Sequence, residues 1–493
     1  MPRAVAQDET ADEGRAASGP GGRNKLAARI ARAIEDDIIA AGWPVGSTAG
    51  SETELIERHG VSRAVFREAV RLVEHHQVAV MQRGRSGGLK VTAPSAQAAV
   101  EAAVVYLEHK GTTVDDLLSV RSLVEPFAAA EAARHITEAA IDALRAQARR
   151  ESEELAAGQD APYHGGLHVT LARLSGNPVL QLFTEVMAEL TDRYAKVRRP
   201  AKPDRAGTAR EVDRAHLAVV DAVVAGDAAT AQHHMSAHLE AMNGWFADTE
   251  RRIVPRRPVH DAGAQVKGRK LAEVIAEEIR SDIVRGRWEP GTVIDSETGL
   301  VQRYDVSRAA VREAVRLLEH HSVAWMRRGP GGGLMVAEPD LDAGVEAMAL
   351  YLDYRGATAA DLLNARKMLE LGCVDIVTAR SGEPEVRDRL TRTMSVAPGT
   401  PPADARQRAD ELHMAVAELT GNPVLVFLIR TITSLYGRHV TSQADGVPEP
   451  ARTAAEAVSH AHEAIVESVL AGDRGLARHR MTRHLDALST FWH

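Results

Sequence analysis

The strongest constraint on this chain is that most of it is written twice. Val61 to Val91 reads VSRAVFREAVRLVEHHQVAVMQRGRSGGLKV, and Val306 to Val336 reads VSRAAVREAVRLLEHHSVAWMRRGPGGGLMV, with 22 of 31 positions identical at an offset of 245. The same offset carries SGNPVL at Ser175 onto TGNPVL at Thr420, and His168 onto His413. An offset of 246 then takes His216 to His462 and His238 to His484. Solenoid repeats run about 20–50 residues, so a period this long is a duplicated module of several elements. At 493 residues the chain is also too long for one core. The joint is expected at 248–265, where Arg, Pro and Gly gather between helical patterns.

Aromatic residues make up only 4% of the chain against an apolar fraction of 44%, so the cores must be built from Ala, Val, Leu and Ile, a composition that leans to helix. In the first copy, Leu26, Ile30, Ile34 and Ile38 recur at helical spacing from Asn24 to Ala41, and Gly42, Pro44 and Gly46 break the pattern. Ser51 with Glu54 three residues on predicts a capped second helix that Gly60 ends. Ser62 caps a third helix reaching about His75. Val78–Met81 and Gly88–Val91 read as short strands around the Gly-rich turn that begins at Arg83. Helix, helix, turn, helix, hairpin is the order of a winged helix-turn-helix. Helical patterns follow to about Thr249, and again from Asp340 onward in the second copy, where the Pro-rich stretch 382–405 predicts a shortened helix. The expected fold class is mainly α. Winged helix-turn-helix domains are expected at 23–92 and 266–337, antiparallel all-helical bundles at 96–247 and 340–493, and a disordered tail at 1–22.

The net charge of −8 argues against nucleic acid until its distribution is read. Arg23 to Thr92 carries a net +3 and Lys267 to Ala337 a net +2, which leaves −13 for the remainder. There is no apolar run near 18 residues, so no membrane span is expected. The first residues lack a basic start followed by an apolar stretch, the mark of a signal peptide. A single cysteine, Cys373, rules out an internal disulfide and fits a reducing compartment, so the cytoplasm is expected.

In a winged helix-turn-helix the third helix enters the major groove with its N-terminal residues on base edges. Arg63 and Arg67 lie four apart on that helix, and Arg308 and Arg312 repeat them. An arginine fork can bond guanine O6 and N7 together, worth about 1–3 kcal/mol of discrimination. Ser62 and Ser307 suit phosphate contacts, and the wing residues Arg83, Arg85, Arg327 and Arg328 suit phosphate or the adjacent minor groove. One isolated pair at this spacing is ordinarily a solvated basic face. This one follows a capped turn, precedes a Gly-rich hairpin and occurs twice, which favours double-stranded DNA as the partner.

These same residues carry a family resemblance. SETELIERHGVSRAVFREAVRLVEHH and SETGLVQRYDVSRAAVREAVRLLEHH resemble the GntR-type DNA-binding head, and the helical region after each resembles the FadR-like sensor domain. The resemblance covers nearly the whole chain outside the tail and linker. Thr53 and Thr298 stand where family heads usually carry Arg, so a base or phosphate contact is lost or replaced and the operator differs from the usual short inverted repeat.

Histidines in the sensor regions have the spacing of metal ligands. His164 and His168 are four apart, with His216 and His238 on two later helices. The FadR-like pattern of a carboxylate or amide residue, a His four later and two further His matches His168, His216 and His238, with His164 in the carboxylate position. A zinc- or nickel-like divalent ion is implied. The Gly165-Gly166 pair weakens a helix there by about 1 kcal/mol per Gly. The second copy keeps His413, His462 and His484, while Ala409 replaces the first ligand and Asp410, three before His413, is the candidate substitute. In the family, the Arg matching Arg121 and Arg366 lies near the effector pocket. Each is followed four residues later by Glu125 or Glu370, so a surface ion pair is the alternative.

Together these features predict an effector-gated transcriptional regulator, not an enzyme. Its two modules would form an internal pseudo-dimer, with association of two chains left open, and a small organic acid would be the effector. A DNA-binding architectural protein without effector response, and a metal-dependent enzyme with DNA-binding heads, are the rival readings. The second lacks an HExxH motif, a P-loop or a nucleophile elbow in this sequence.

Overall fold

The computed structural model describes residues 20–488 apart from 85–86, 157–164, 198–204, 247–270, 287, 321–322, 328, 330, 339, 395–401 and 442–449. Expectations for the tail before residue 20, the linker at 248–265, Arg85, His164 and Arg328 lie outside the described residues. The chain divides into two compact units, residues 1–99 with 350–355, and residues 100–349 with 356–493.

In the first unit α1 (Pro20–Ala40), α2 (Glu52–His59) and α3 (Arg63–His75) pack on an antiparallel sheet of order β1-β3-β2. The strands are β1 (Thr48–Gly50), β2 (Ala79–Gln82) and β3 (Gly88–Val91). Ile34 and Ile38 of α1, Leu55 of α2, Phe66 and Val73 of α3 and Leu89 of β3 share one core, which Leu350 completes. Ser51 accepts from the Glu54 amide while Glu54 accepts from the Ser51 amide, the reciprocal cap its spacing predicts. Gly60 ends α2 at φ 61°, a left-handed conformation that costs glycine no Cβ clash. Strand β1 was not foreseen in the sequence. The TAG segment has neither alternation nor β-branched density, and it becomes a strand because β3 offers its open edge, with Thr48 opposite Lys90.

The second unit takes over within α4 (Ala96–His109) and continues as α5 (Val114–His135), α6 (Glu138–Ala156), α7 (Gly165–Leu174), α8 (Pro178–Val197), α9 (Arg205–Val224) and α10 (Ala228–Phe246). The second head follows as α11 (Leu271–Gly286), β4 (Val293–Asp295), α12 (Glu297–Tyr304), α13 (Arg308–His320), β5 (Ala324–Arg327) and β6 (Gly333–Val336), again with the middle position taken by the last strand. Its core repeats the first and takes in Val105 from α4. The second helical domain comprises α14 (Leu341–Tyr354), α15 (Ala359–Ala379), α16 (Pro384–Met394), α17 (Pro402–Leu419), α18 (Pro423–Thr441), α19 (Pro450–Leu470) and α20 (Arg474–Leu488). Helix α16 has 11 residues where its counterpart α6 has 19.

The repeated NPVL motif ties the two helical domains together. Asn177 caps α8 by accepting from the amides of Val179 and Leu180 at 2.9 and 3.2 Å, and its Nδ2 donates to the Asp361 carbonyl at 3.1 Å. Asn422 caps α18 in the same way and donates to the Asp116 carbonyl at 2.9 Å. The bonds are reciprocal, each domain's cap reaching the other's first long helix. Replacing Asn177 and Asn422 by Asp keeps the caps and removes both cross-domain donors. Loss of about 1–3 kcal/mol per site is expected, read as a lower urea midpoint with retained helix content by circular dichroism. An unchanged midpoint would mean the cross-domain bonds contribute nothing.

Candidate functional site

Both heads present a basic helix end to solvent. In head 1, Ser62 accepts from the Val65 amide at 3.4 Å and so fixes the start of α3. Arg63 and Arg67 stand about two-thirds exposed, and both Nε atoms approach Glu52 Oε1, at 3.3 and 3.5 Å. In head 2, Ser307 accepts from the Ala310 amide at 3.2 Å, Arg308 is exposed, and Arg312 Nε donates to Glu297 at 2.9 Å. Glu52 and Glu297 hold the guanidinium groups extended over the face, a role the sequence reading missed. The signal was present: with Glu54 used in the cap, Glu52 is the acid at the mouth of α2 still able to reach across. At the wings Arg83 is exposed, while Arg327 Nη2 folds back onto the Gly331 carbonyl at 2.6 Å.

In each helical domain three histidines converge. His168 on α7, His216 on α9 and His238 on α10 are buried, with ligand atoms all within 4.8 Å of one another. His216 Nε2 and His238 Nε2 are 3.3 Å apart. In the second domain His413 on α17, His462 on α19 and His484 on α20 form the matching group, with Nε2 atoms of His413 and His484 at 3.2 Å and of His462 and His484 at 3.1 Å. Two nitrogens each about 2.0–2.1 Å from one tetrahedral ion stand about 3.3 Å apart, so this spacing fits a shared cation. Asp410 is not a member of the second trio; its charge instead helps hold Arg366 protonated.

A buried chain of charges sets the orientation. Arg121 grips Glu125 through Nε to Oε1 at 2.6 Å and Nη2 to Oε2 at 3.2 Å, and Oε2 also faces His168 Nδ1 at 2.6 Å. With Nδ1 donating to the carboxylate, His168 presents Nε2 as a lone pair to the other histidines. The second domain repeats the chain, with Arg366 Nε on Glu370 Oε1 at 2.5 Å and Glu370 Oε2 against His413 Nδ1. His216 Nδ1 faces Glu151 at 3.2 Å. Burial opposes the ionised form of Glu125, but the Arg121 guanidinium and His168 outweigh it and keep the carboxyl well below the usual range. The same balance brings Glu370 down to about 2. Burial, with neighbouring histidines, lowers His238 and His462 to about 2 and His484 to about 3. His238, His462 and His484 are therefore neutral at pH 7, the form in which nitrogen binds a metal. The i, i+4 pairs Arg121–Glu125 and Arg366–Glu370 exist, but inside the domains rather than on their surface.

Removing the carboxylate should be costly. Glu125→Ala leaves Arg121 buried without its partner, and a loss of about 3–5 kcal/mol is expected in urea unfolding. A loss below about 1 kcal/mol would show that water or another acid replaces Glu125 freely.

The FCD domain model matches residues 116–241 and 361–487, and the model for bacterial regulatory proteins of the gntR family matches 271–335. The HTH-type transcriptional regulator LutR of Bacillus subtilis is 27% identical over 218 residues, covering 43% of this chain and 97% of LutR. The Uxu operon regulator of Haemophilus influenzae is 30% identical over 162 residues, covering 32% of this chain and 57% of that protein. A solved GntR structure from Streptococcus agalactiae covers 44% of this chain and 99% of its own, at 20% identity and a TM-score of 0.33.

Proposed function

We propose, for a chain that belongs to the gntR family of bacterial regulatory proteins and carries two FCD domains, that it is a two-headed, effector-gated transcriptional regulator acting as a covalent pseudo-dimer. The observation carrying this reading is the agreement of the two exposed helix ends. Ser62, Arg63, Ala64 and Arg67 recur as Ser307, Arg308, Ala309 and Arg312, while buried neighbours such as Val65 and Phe66 become Ala310 and Val311. The surface that would meet bases is held constant where the interior has drifted. Two heads of equal reading suit an operator with two matching half-sites, and tethering them raises affinity by about 10²–10⁴ where both can engage. Arg83 and Arg327, with Arg85 and Arg328 beside them, would contact the flanking backbone or minor groove. The protein acts where the chromosome lies, in the cytoplasm.

In the sensor, His168, His216 and His238 would hold a zinc- or nickel-like ion, with His164 as a fourth donor, and His413, His462 and His484 would hold a second. When bound, the ion supplies a Lewis-acidic anchor for an anionic effector, taken here as a small organic acid. The protein's own contribution is positional. Glu125 fixes the tautomer of His168, Arg121 fixes Glu125, and the weakest contact of Arg121, Nη1 to Thr191 Oγ1 at 3.4 Å, is the one an effector carboxylate would displace. Arg366 serves the second site in the same way, and Asp410 belongs with it.

Selection of genomic fragments by the purified protein at moderate salt tests the reading. Enrichment of a motif with two related half-sites is expected, and Arg63→Ala/Arg308→Ala should abolish it through loss of about 1–3 kcal/mol per guanine contact. Absence of any motif above the salt-sensitive background refutes sequence reading. Elemental analysis tests the sensor: about one ion per intact histidine trio is expected, falling by half in His216→Ala/His238→Ala. A metal-free wild-type protein would refute the metal-assisted form.

A further inference from the structure

Head 2 meets the first helical domain through a knot of charges centred on a buried carboxylate. Glu108 of α4 is 2% exposed, and its Oε2 lies 3.1 Å from Arg280 Nη1 of α11. Its Oε1 lies 3.3 Å from Arg193 Nη1 of α8. Arg193 also reaches Glu277 of α11 at 3.7 Å and Glu189 of its own helix at 2.7 Å, and Arg280 bonds Glu277 at 2.6 Å. Acid and base thus alternate around the joint, two members coming from the head and three from the sensor. Burial raises the pKa of Glu108 and Arg193 works against it, so its charge depends on the arginines staying in place.

The duplicated head carries the opposite signs. At the offset of 245, Glu277 corresponds to Arg32 and Arg280 to Glu35. In head 1 that acid is used inside its own domain, where Glu35 meets His76 Nδ1 at 2.6 Å. Were head 1 to sit on the first sensor as head 2 does, Glu35 would face Glu108 and Arg32 would face Arg193. Both contacts that attract in the observed joint would repel. The apolar part offers no such discrimination: Val105 of α4 enters the core of head 2, and Leu350, its counterpart on α14 at the offset of 245, enters the core of head 1.

We infer that Glu277 and Arg280 are specificity residues, selecting the second head of the chain as the partner of the first sensor and rejecting the first head, whether from the same chain or a second copy. The hydrophobic seat is common to both heads, and the sign of two charges decides which one takes it. Sensor 1 is thereby wired to head 2, the head of the other module. This goes beyond the regulatory reading above and depends on neither DNA nor metal binding.

Hydrogen–deuterium exchange of the full chain, followed in α4 and α11, tests the inference. Glu277→Arg/Arg280→Glu gives head 2 the charges of head 1, and Glu277→Gln/Arg280→Gln removes them at nearly constant volume. Exchange is expected to rise about tenfold in the neutral chain and about a hundredfold in the reversed one, because juxtaposed like charges cost more than absent ones. Reversing the sensor side as well, with Glu108→Arg/Glu189→Arg/Arg193→Glu, should return the reversed chain to near wild-type protection. Equal exchange in the neutral and reversed chains overturns the inference, since the sign of the charges would then select nothing. Should the reversed chain lose its helix content, the fully reversed chain decides. Recovery of fold and protection supports the selection, and failure to recover while the neutral chain stays folded overturns it.

Discussion

A carboxylate as deeply buried as Glu125 or Glu370 survives only while both oxygens are occupied, because an ion stripped of water costs several kcal/mol unless partners replace the solvent. Here one oxygen takes the arginine a helical turn earlier and the other reaches a histidine 43 residues on. The arrangement fixes more than a salt bridge. It sets the spacing of α5 from α7 and of α15 from α17, and it turns one imidazole so that its second nitrogen meets two more. Everything the sensor domains present at their centres depends on this chain of charges being intact in both copies.

The same economy of buried charge recurs at the joints. The Asn caps at Asn177 and Asn422 satisfy their own helices first and reach across the domains with the donor left over. The knot around Glu108 joins a sensor to a head with alternating signs instead of a wholly apolar seat. Buried polar contacts of this kind are poor sources of net stability, but a mispaired one is heavily penalised, which makes them good at specifying partners. In a chain with two heads and two sensors of near-equal shape, that is the property most needed. Hydrophobic surfaces that are almost copies cannot tell one another apart.

Much of this was legible from local rules. The repeat, the capping box at Ser51 and Glu54, the Gly60 stop and the 3.6-residue spacing of Ile30, Ile34 and Ile38 act over a few residues, so the sequence reports them directly. The histidines could be proposed as a set because their spacing was preserved twice, and the structure brings three of each set together. Local rules failed where a partner came from far along the chain. Strand β1 exists only because β3 has a free edge, and Glu52 matters only because the turn swings it over α3. Asp410, three residues before His413, reads as a ligand by helical phase; the group the structure brings together is His413, His462 and His484, and the Asp410 charge acts on Arg366.

The sequence by itself determined which helices and hairpins form and that they form twice, since helix periodicity, caps and turns depend on neighbours within about a turn. It also determined the chemistry available: paired arginines at the start of a capped helix and histidines at constant spacing. Tertiary structure alone decided that the Arg–Glu pairs lie inside rather than on the surface, because i, i+4 spacing is the same in either place and only packing removes the water. It alone decided that Glu108 answers to Arg280, a residue of another module, because the identity of a buried charge's partner depends on which surfaces meet, and no local rule records that.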